Sequence, residues 1–379
     1  MPSAPFFPDD PRARRAAALV LAGAALYLLG GLAAPFLAEA AGRESALGRL
    51  LLEWRATLWD GLVILAAAAL VAPAVHALRP SRLRRWIEPA TAEALGAMRA
   101  LVAGVLLASA LWEDLPSTAY LPRELLHHDP QWLVEWLLRV PGMDAFFASH
   151  AVLTAFELGA IALLGMAAVG LGTRWTVPAA AVAYLLMAVT LRSYAWSYHT
   201  GLVPLYALLL LSVTPCGDAW SLDRRLRMRR GLPVPPARAP ALRYGIGRYL
   251  VWMAVALPYV FAGLSKLRGT GLLWWNGEQM KQMVISTAAE PMHFDFRLGF
   301  LLLQGSDALW SAMGLAALAG ELTFGLVLVS RTARRWLPLA MAGMHGGIVL
   351  TQNILFPDLI ALQAVFYDWR PLRDRLFGA

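Results

Sequence analysis

Apolar runs of about 20 residues recur along this chain, the length that crosses the hydrocarbon core of a bilayer. They are separated by connections, every second of which carries arginine. The runs fall near 16–41, 56–78, 95–112, 150–172, 176–195, 199–215, 245–266, 307–330, 336–353 and 357–369. Arg12, Arg14 and Arg15 precede the first, and Arg79, Arg82, Arg84 and Arg85 follow the second. Arg174 follows the fourth, Arg224 to Arg230 the sixth, Arg331 to Arg335 the eighth, and Arg370 to Arg375 the tenth. Positively charged loops stay on the cytoplasmic side. The alternation therefore predicts an all-α fold, a polytopic transmembrane helix bundle of about ten spans with both termini cytoplasmic. The first run has no convincing cleavage site after it and reads as a retained span.

Composition agrees: 59% of the 379 residues are hydrophobic and 15% are charged, against roughly 25% charged in soluble domains. The net charge of +8 needs no nucleic-acid partner, because topology already accounts for the arginine clusters; membrane lipid is the partner expected. The single cysteine, Cys216, excludes an internal disulfide and a cysteine-based metal cluster. No spacing of histidines and carboxylates argues for a metal.

The outward connections differ in kind. Residues 113–149 are acidic and carry Trp132, Trp136, Phe146 and Phe147. The stretch from Gln131 to Leu138 has helical apolar spacing, so short interfacial helices are expected in the outer loops. Residues 267–306 form a second outer segment with Trp274 and Trp275. Tryptophans at this depth serve widely as interface anchors. On the inner side, residues 231–243 read as a stiff proline-rich linker.

Ionisable residues inside or at the edge of spans are the candidates for chemistry. Lys266 closes the seventh run and His199 opens the sixth, so topology places both toward the outer leaflet. Asp218 and Asp223 lie at the opposite end, as structural polar residues. Glu321 and His345 sit within the eighth and ninth runs, where they can hydrogen-bond each other across two helices. Gln352 and Asn353 continue the polar face of the ninth run, and Glu157 and His150 are weaker candidates. Lys266 reads either as an anchor whose ammonium snorkels to the interface or as an amine that sheds its proton in a dry site and acts as a base.

Several strings carry a family resemblance: Trp196-Ser-Tyr-His199-Thr-Gly, Gly217-Asp-Ala-Trp-Ser-Leu-Asp223, Tyr259-Val-Phe-Ala-Gly-Leu-Ser-Lys266-Leu, Trp275-Asn-Gly-Glu-Gln-Met280 and Met344-His345. Their order resembles the horizontally transferred transmembrane (HTTM) domain, the membrane part of vitamin K-dependent gamma-carboxylase. The resemblance divides the chain into an N-terminal pair of spans with a basic cytoplasmic loop, residues 1–90, and the HTTM domain, residues 91–379. It implies an integral membrane enzyme in which Lys266 is the base acting on a reduced quinone, either menaquinone or vitamin K hydroquinone, with O2 and CO2 as further reactants. It implies His199 as an orienting or electrophilic group, and His345 as a further family histidine. Trp196, Tyr198, Tyr259 and Trp275, with Phe261, would line the ring slot. The acceptor would be an exported peptide or a lipid-soluble molecule, and the membrane a bacterial inner membrane with the site on its outer side. The carboxylase motif has two adjacent lysines, whereas Ser265 precedes Lys266 here. The alternative is a non-enzymatic maturation, export or immunity partner of a secreted peptide. A transporter with a polar pocket at Glu321 and His345 is a third.

Overall fold

A computed structural model describes residues 87–128, 132–194, 201–289, 294–370 and 374–375, with a few positions between 37 and 48. Among these, the regular elements are helices, and one isolated bridge joins Ala90 and Ala241. In hydrocarbon a chain has no water to satisfy its amides, and the helix satisfies them internally. Five stretches are long and apolar enough to cross a bilayer: Ala92–Tyr120, His150–Val169, Thr173–Tyr194, Leu242–Gly269 and Asp307–Leu328. They coincide with the third, fourth, fifth, seventh and eighth runs of the sequence.

The first of these holds α1 (Ala92–Trp112), capped by the Thr91 hydroxyl on the amide of Ala94 and continued by a 3₁₀ turn at Pro116–Tyr120. Three short helices follow, α2 (Arg123–His128), α3 (Trp132–Leu138) and α4 (Met143–Ala148). Then come α5 (His150–Val169), which stops at Gly170 with φ 74°, and α6 (Thr173–Tyr194). After these are α7 (Leu202–Ser212), α8 (Leu222–Arg229) and the 29-residue α9 (Leu242–Thr270). The remainder is α10 (Gly277–Ala289), α11 (Leu298–Leu302), α12 (Asp307–Thr323), α13 (Arg331–Gln352) and α14 (Pro357–Leu362).

Packing divides the described chain into two units. The smaller contains the few described positions between 37 and 48, Phe261–Met283 and Gly305–Leu322; the larger contains the described residues from 87 to 260, Val284–Gln304 and those from Thr323 onward. In the larger unit α1 packs on α5, α7 and α14, and α6 packs on α5 and α7. Leu95, Val102 and Leu106 of α1 are fully buried, as are Leu153 and Leu164 of α5 and Leu205, Leu208 and Leu211 of α7. The outward faces are apolar as well: Val152, Leu158 and Val169 of α5 and Val182 of α6 are exposed. A helix apolar all round is at home in lipid.

The helix expected around 131–138 is α3. With α2 and α4 it buries Leu126, Val134 and Phe147 in a small core against Val189 of α6. Two expected spans come out shorter. The sixth run, 199–215, yields the 11-residue α7, about 17 Å long and short of a ~30 Å core. The tenth yields α14 and a 3₁₀ turn at Gln363–Phe366. Gly201, with φ 80°, precedes α7, which ends at Ser212, and Pro357 takes the first position of α14, where its missing N–H costs no helical hydrogen bond. The first two runs and the proposed N-terminal domain lie almost wholly outside the described residues.

Candidate functional site

In the smaller unit the site begins with a glycine. A Cβ on Gly263 of α9 would lie 2.9 Å from the Leu322 side chain and 3.3 Å from the Cβ of Glu321 on α12. Its absence lets the two helices approach. Three residues on, Lys266 reaches α12, and its Nζ donates to both carboxylate oxygens of Glu321 at 2.6 and 2.7 Å. The Glu321 side chain is 8% exposed and that of Lys266 26%, so the carboxylate end is the drier. The Trp274 ring centroid lies 5.1 Å from Nζ, within cation–π reach. Trp275 is half-buried, its backbone against Gly314 of α12. A second ion pair, Lys281 to Asp307 at 2.7 Å, joins α10 to the start of α12.

This geometry explains the Ala-Gly-x-x-Lys-Leu element physically: the glycine sets the helix spacing that the lysine needs. Gly263→Leu is expected to push α12 away and cost about 1–3 kcal/mol of stability. The same variant should release Glu321 from Lys266. Denaturant titration in micelles, with crosslinking of cysteines placed on α9 and α12, reads both; an unchanged crosslinking yield would remove the spacing role.

The larger unit holds a separate buried polar chain. Gln363 Nε2 donates to the Tyr259 hydroxyl oxygen at 2.8 Å, and that hydroxyl lies 2.8 Å from His345 Nε2. The Tyr259 hydroxyl thus bridges the Gln363 amide and the His345 imidazole. Phe324 and Phe356 pack on Tyr259 and His345 respectively. Asn353 ends α13 in the left-handed region at φ 59°; its side chain accepts from the Phe296 amide and donates to the Phe296 carbonyl.

These contacts correct one expectation. Glu321 pairs with Lys266, and His345 with Tyr259. A carboxylate in apolar surroundings gains more from an ammonium that satisfies both its oxygens than from one imidazole nitrogen. Trp196, Tyr198 and His199 lie outside the described residues, and with them the juxtaposition of Lys266 and His199. Glu157 accepts from the Leu115 amide, and the His150 ring packs beside Tyr120.

Asp218 accepts from the Tyr244 hydroxyl at 2.7 Å. Asp223 accepts from the amides of Gly172 and Thr173 and from the Thr173 hydroxyl, which caps the start of α6. Burial opposes its charge, but these hydrogen bonds and the nearby Arg227 outweigh that and hold the carboxyl below the usual carboxylate range. The stability it contributes is complete above the ordinary aspartate value near ~3.9 and is lost as pH falls below it. Asp223→Asn should therefore unfold more readily than the parent at pH 7. Unfolding curves of the two proteins should converge toward pH 3; a gap that stays constant across that range would contradict this account.

The sequence reading passed over Arg99, which is fully buried in α1. Its guanidinium donates to the carbonyls of Cys216, Ala167, Ala168 and Trp220. It closes the C-terminal end of α5 and braces the turn of the Gly217–Asp223 string. In that turn Gly217 lies against Thr173, Trp220 takes φ 50°, and Ser221 caps α8. The available signal was an arginine in the middle of an apolar run.

No curated protein and no solved structure matches the chain. The family model described as the HTTM domain matches residues 88–365, nearly three quarters of its length. A membrane protein by its apolar helices, the chain belongs to the HTTM domain family.

Proposed function

We propose that this chain is an integral membrane enzyme that uses Lys266 to take a proton from a reduced quinone and so drives modification of an exported peptide or lipid-soluble acceptor. The observation that carries the reading is the Lys266–Glu321 pair, in the motif that resembles the carboxylase base, held by close helix packing. A quinone is apolar and reaches such a site sideways from the bilayer. Trp274 and the half-buried Trp275, in the same unit, offer aromatic surface for a ring. When bound, the reduced quinone would supply a phenolic proton and, with O2, the oxidative driving force for CO2 incorporation.

The protein's own part is proton handling. Lys266 and Glu321 exist as ammonium and carboxylate or, after one proton shifts across their contact, as amine and carboxylic acid. In a poorly hydrated site, charges are expensive to keep, which narrows the gap between these forms. In the second form Nζ carries a lone pair. A phenolic O–H gives its proton to that lone pair, while Glu321 keeps the proton received earlier. In this reading the site faces the outer side of a bacterial inner membrane.

Lys266→Arg separates base from clamp. Arginine keeps the ion pair but does not deprotonate in proteins. Oxidation of a reduced menaquinone analogue by protein in nanodiscs should fall by about 100-fold or more, with little loss of stability. Undiminished turnover would make the pair a helix clamp and favour the non-enzymatic peptide-maturation reading.

A further inference from the structure

A cavity of about 480 Å³ opens in the larger unit between the start of α1, the first turns of α9 and α13, and the segment after α14. Five arginines line it, Arg238, Arg248, Arg331, Arg334 and Arg370, against the carboxylates of Glu88, Glu93 and Asp368. Some of these charges are matched. Arg370 is paired with Asp368, and Arg238 donates to Asp374 at 2.9 Å and lies 3.5 Å from Glu93. Arg331 takes Glu88 Oε1 at 2.8 and 2.9 Å.

Arg248 and Arg334 donate to the backbone carbonyls of Glu88 and Val327 at 3.2 and 3.0 Å, and their nearest carboxylate is the distant margin of Glu88, at 4.0 and 3.9 Å. Both lie against the ring of Trp252, 4.6 and 4.8 Å from its centroid. The ring is fixed by its indole N–H, which donates to the Val365 carbonyl at 3.0 Å. Their side chains are only 20% and 13% exposed. Among the described residues, Arg248 Nε is buried without a hydrogen-bond partner. Two guanidiniums are thus held side by side, mostly out of solvent, with a surplus of positive charge facing a cavity.

Topology alone does not call for this. The positive-inside effect needs arginines near span ends, and exposed ones on α8 such as Arg225 and Arg229 already supply it. Burying two like charges against one ring is costly unless an anion joins them. Arginine forks match phosphate oxygens in geometry and charge. The cavity lies at the N-terminal ends of α1 and α9, two helices long and apolar enough to cross a bilayer, and headgroup phosphates gather where such helices leave the hydrocarbon.

We propose that this cavity is a phosphate-binding site, with Arg248 and Arg334 as the principal ligands. The phosphate is that of an anionic phospholipid headgroup or of a free phosphate compound. The test uses the full chain, purified in neutral detergent. Native mass spectrometry with phosphatidylglycerol should show retained lipid, and Arg248→Gln/Arg334→Gln should weaken retention about 30-fold. Arg225→Gln/Arg229→Gln, which removes equal charge outside the cavity, should leave it unchanged. Thermal stabilisation by inorganic phosphate without retained lipid assigns the site to a free phosphate. A photoactivatable anionic phospholipid on the unmodified protein should label residues 248–252 or 365–370, a readout independent of how the variants fold. Equal losses in the two double variants, labelling spread over the exposed α8, or no response to either phosphate source would each overturn the proposal.

Discussion

Glu321→Gln should cost the folded protein about 2–4 kcal/mol, because it strands the Lys266 ammonium between helices; removing one partner of a buried pair leaves the other charge uncompensated. Lys266→Met should cost a comparable amount, since it leaves the Glu321 carboxylate, the more buried member, without its ammonium. The double variant Lys266→Met/Glu321→Leu should regain much of this, as paired charges replaced by apolar groups of similar volume are often tolerated. Equilibrium unfolding in mixed micelles gives the three energies, and the cycle isolates the coupling. The double variant also divides structure from chemistry. If the pair is the proton-handling unit, it recovers stability and stays inactive toward a reduced quinone. Additive losses, with no coupling between the sites, would show that the two side chains do not depend on each other.

Arg99→Met carries the second large effect. Methionine fills similar volume but leaves four carbonyls without their donor, two of them buried and two partly buried. Each buried group left unsatisfied costs about 1–3 kcal/mol, so a loss of about 4 kcal/mol or more is expected. Arg99→Lys should recover part of it, because an ammonium keeps the charge near the end of α5 but reaches fewer of the four acceptors. The damage should centre on the 216–223 turn, read as faster amide exchange there and at the start of α6. A loss under about 1 kcal/mol would mean that the carbonyls find other donors and that Arg99 is not the brace.

The two effects differ in how far they were legible beforehand. Lys266 stood out because a charge at the end of an apolar run is unusual, whereas the spacing role of Gly263, three residues before it, was not legible. The partner of Lys266 was not legible either: Glu321 and His345 both sat at plausible depths, and nothing in a one-dimensional pattern says which helix faces meet. Arg99 was visible as a charge in a span, but its worth lies in backbone carbonyls from two distant segments, the end of α5 and the 216–223 turn, which no side-chain pattern announces. The Gly217–Asp223 string was recognisable, whereas its work as a brace and helix cap follows only from the contacts of Asp223 with Gly172 and Thr173. Asn353 likewise read as part of a polar face and turned out to clamp Phe296.

Sequence alone determined that this chain is helical and built for a bilayer, because apolar length and arginine placement are properties of local stretches measured against a fixed membrane thickness. Tertiary structure decided which buried charges face each other, which apolar runs form only short helices, and where arginines crowd a single tryptophan ring. Those outcomes depend on the rotation and approach of helices distant along the chain, and in hydrocarbon the need to satisfy each buried polar group selects among them.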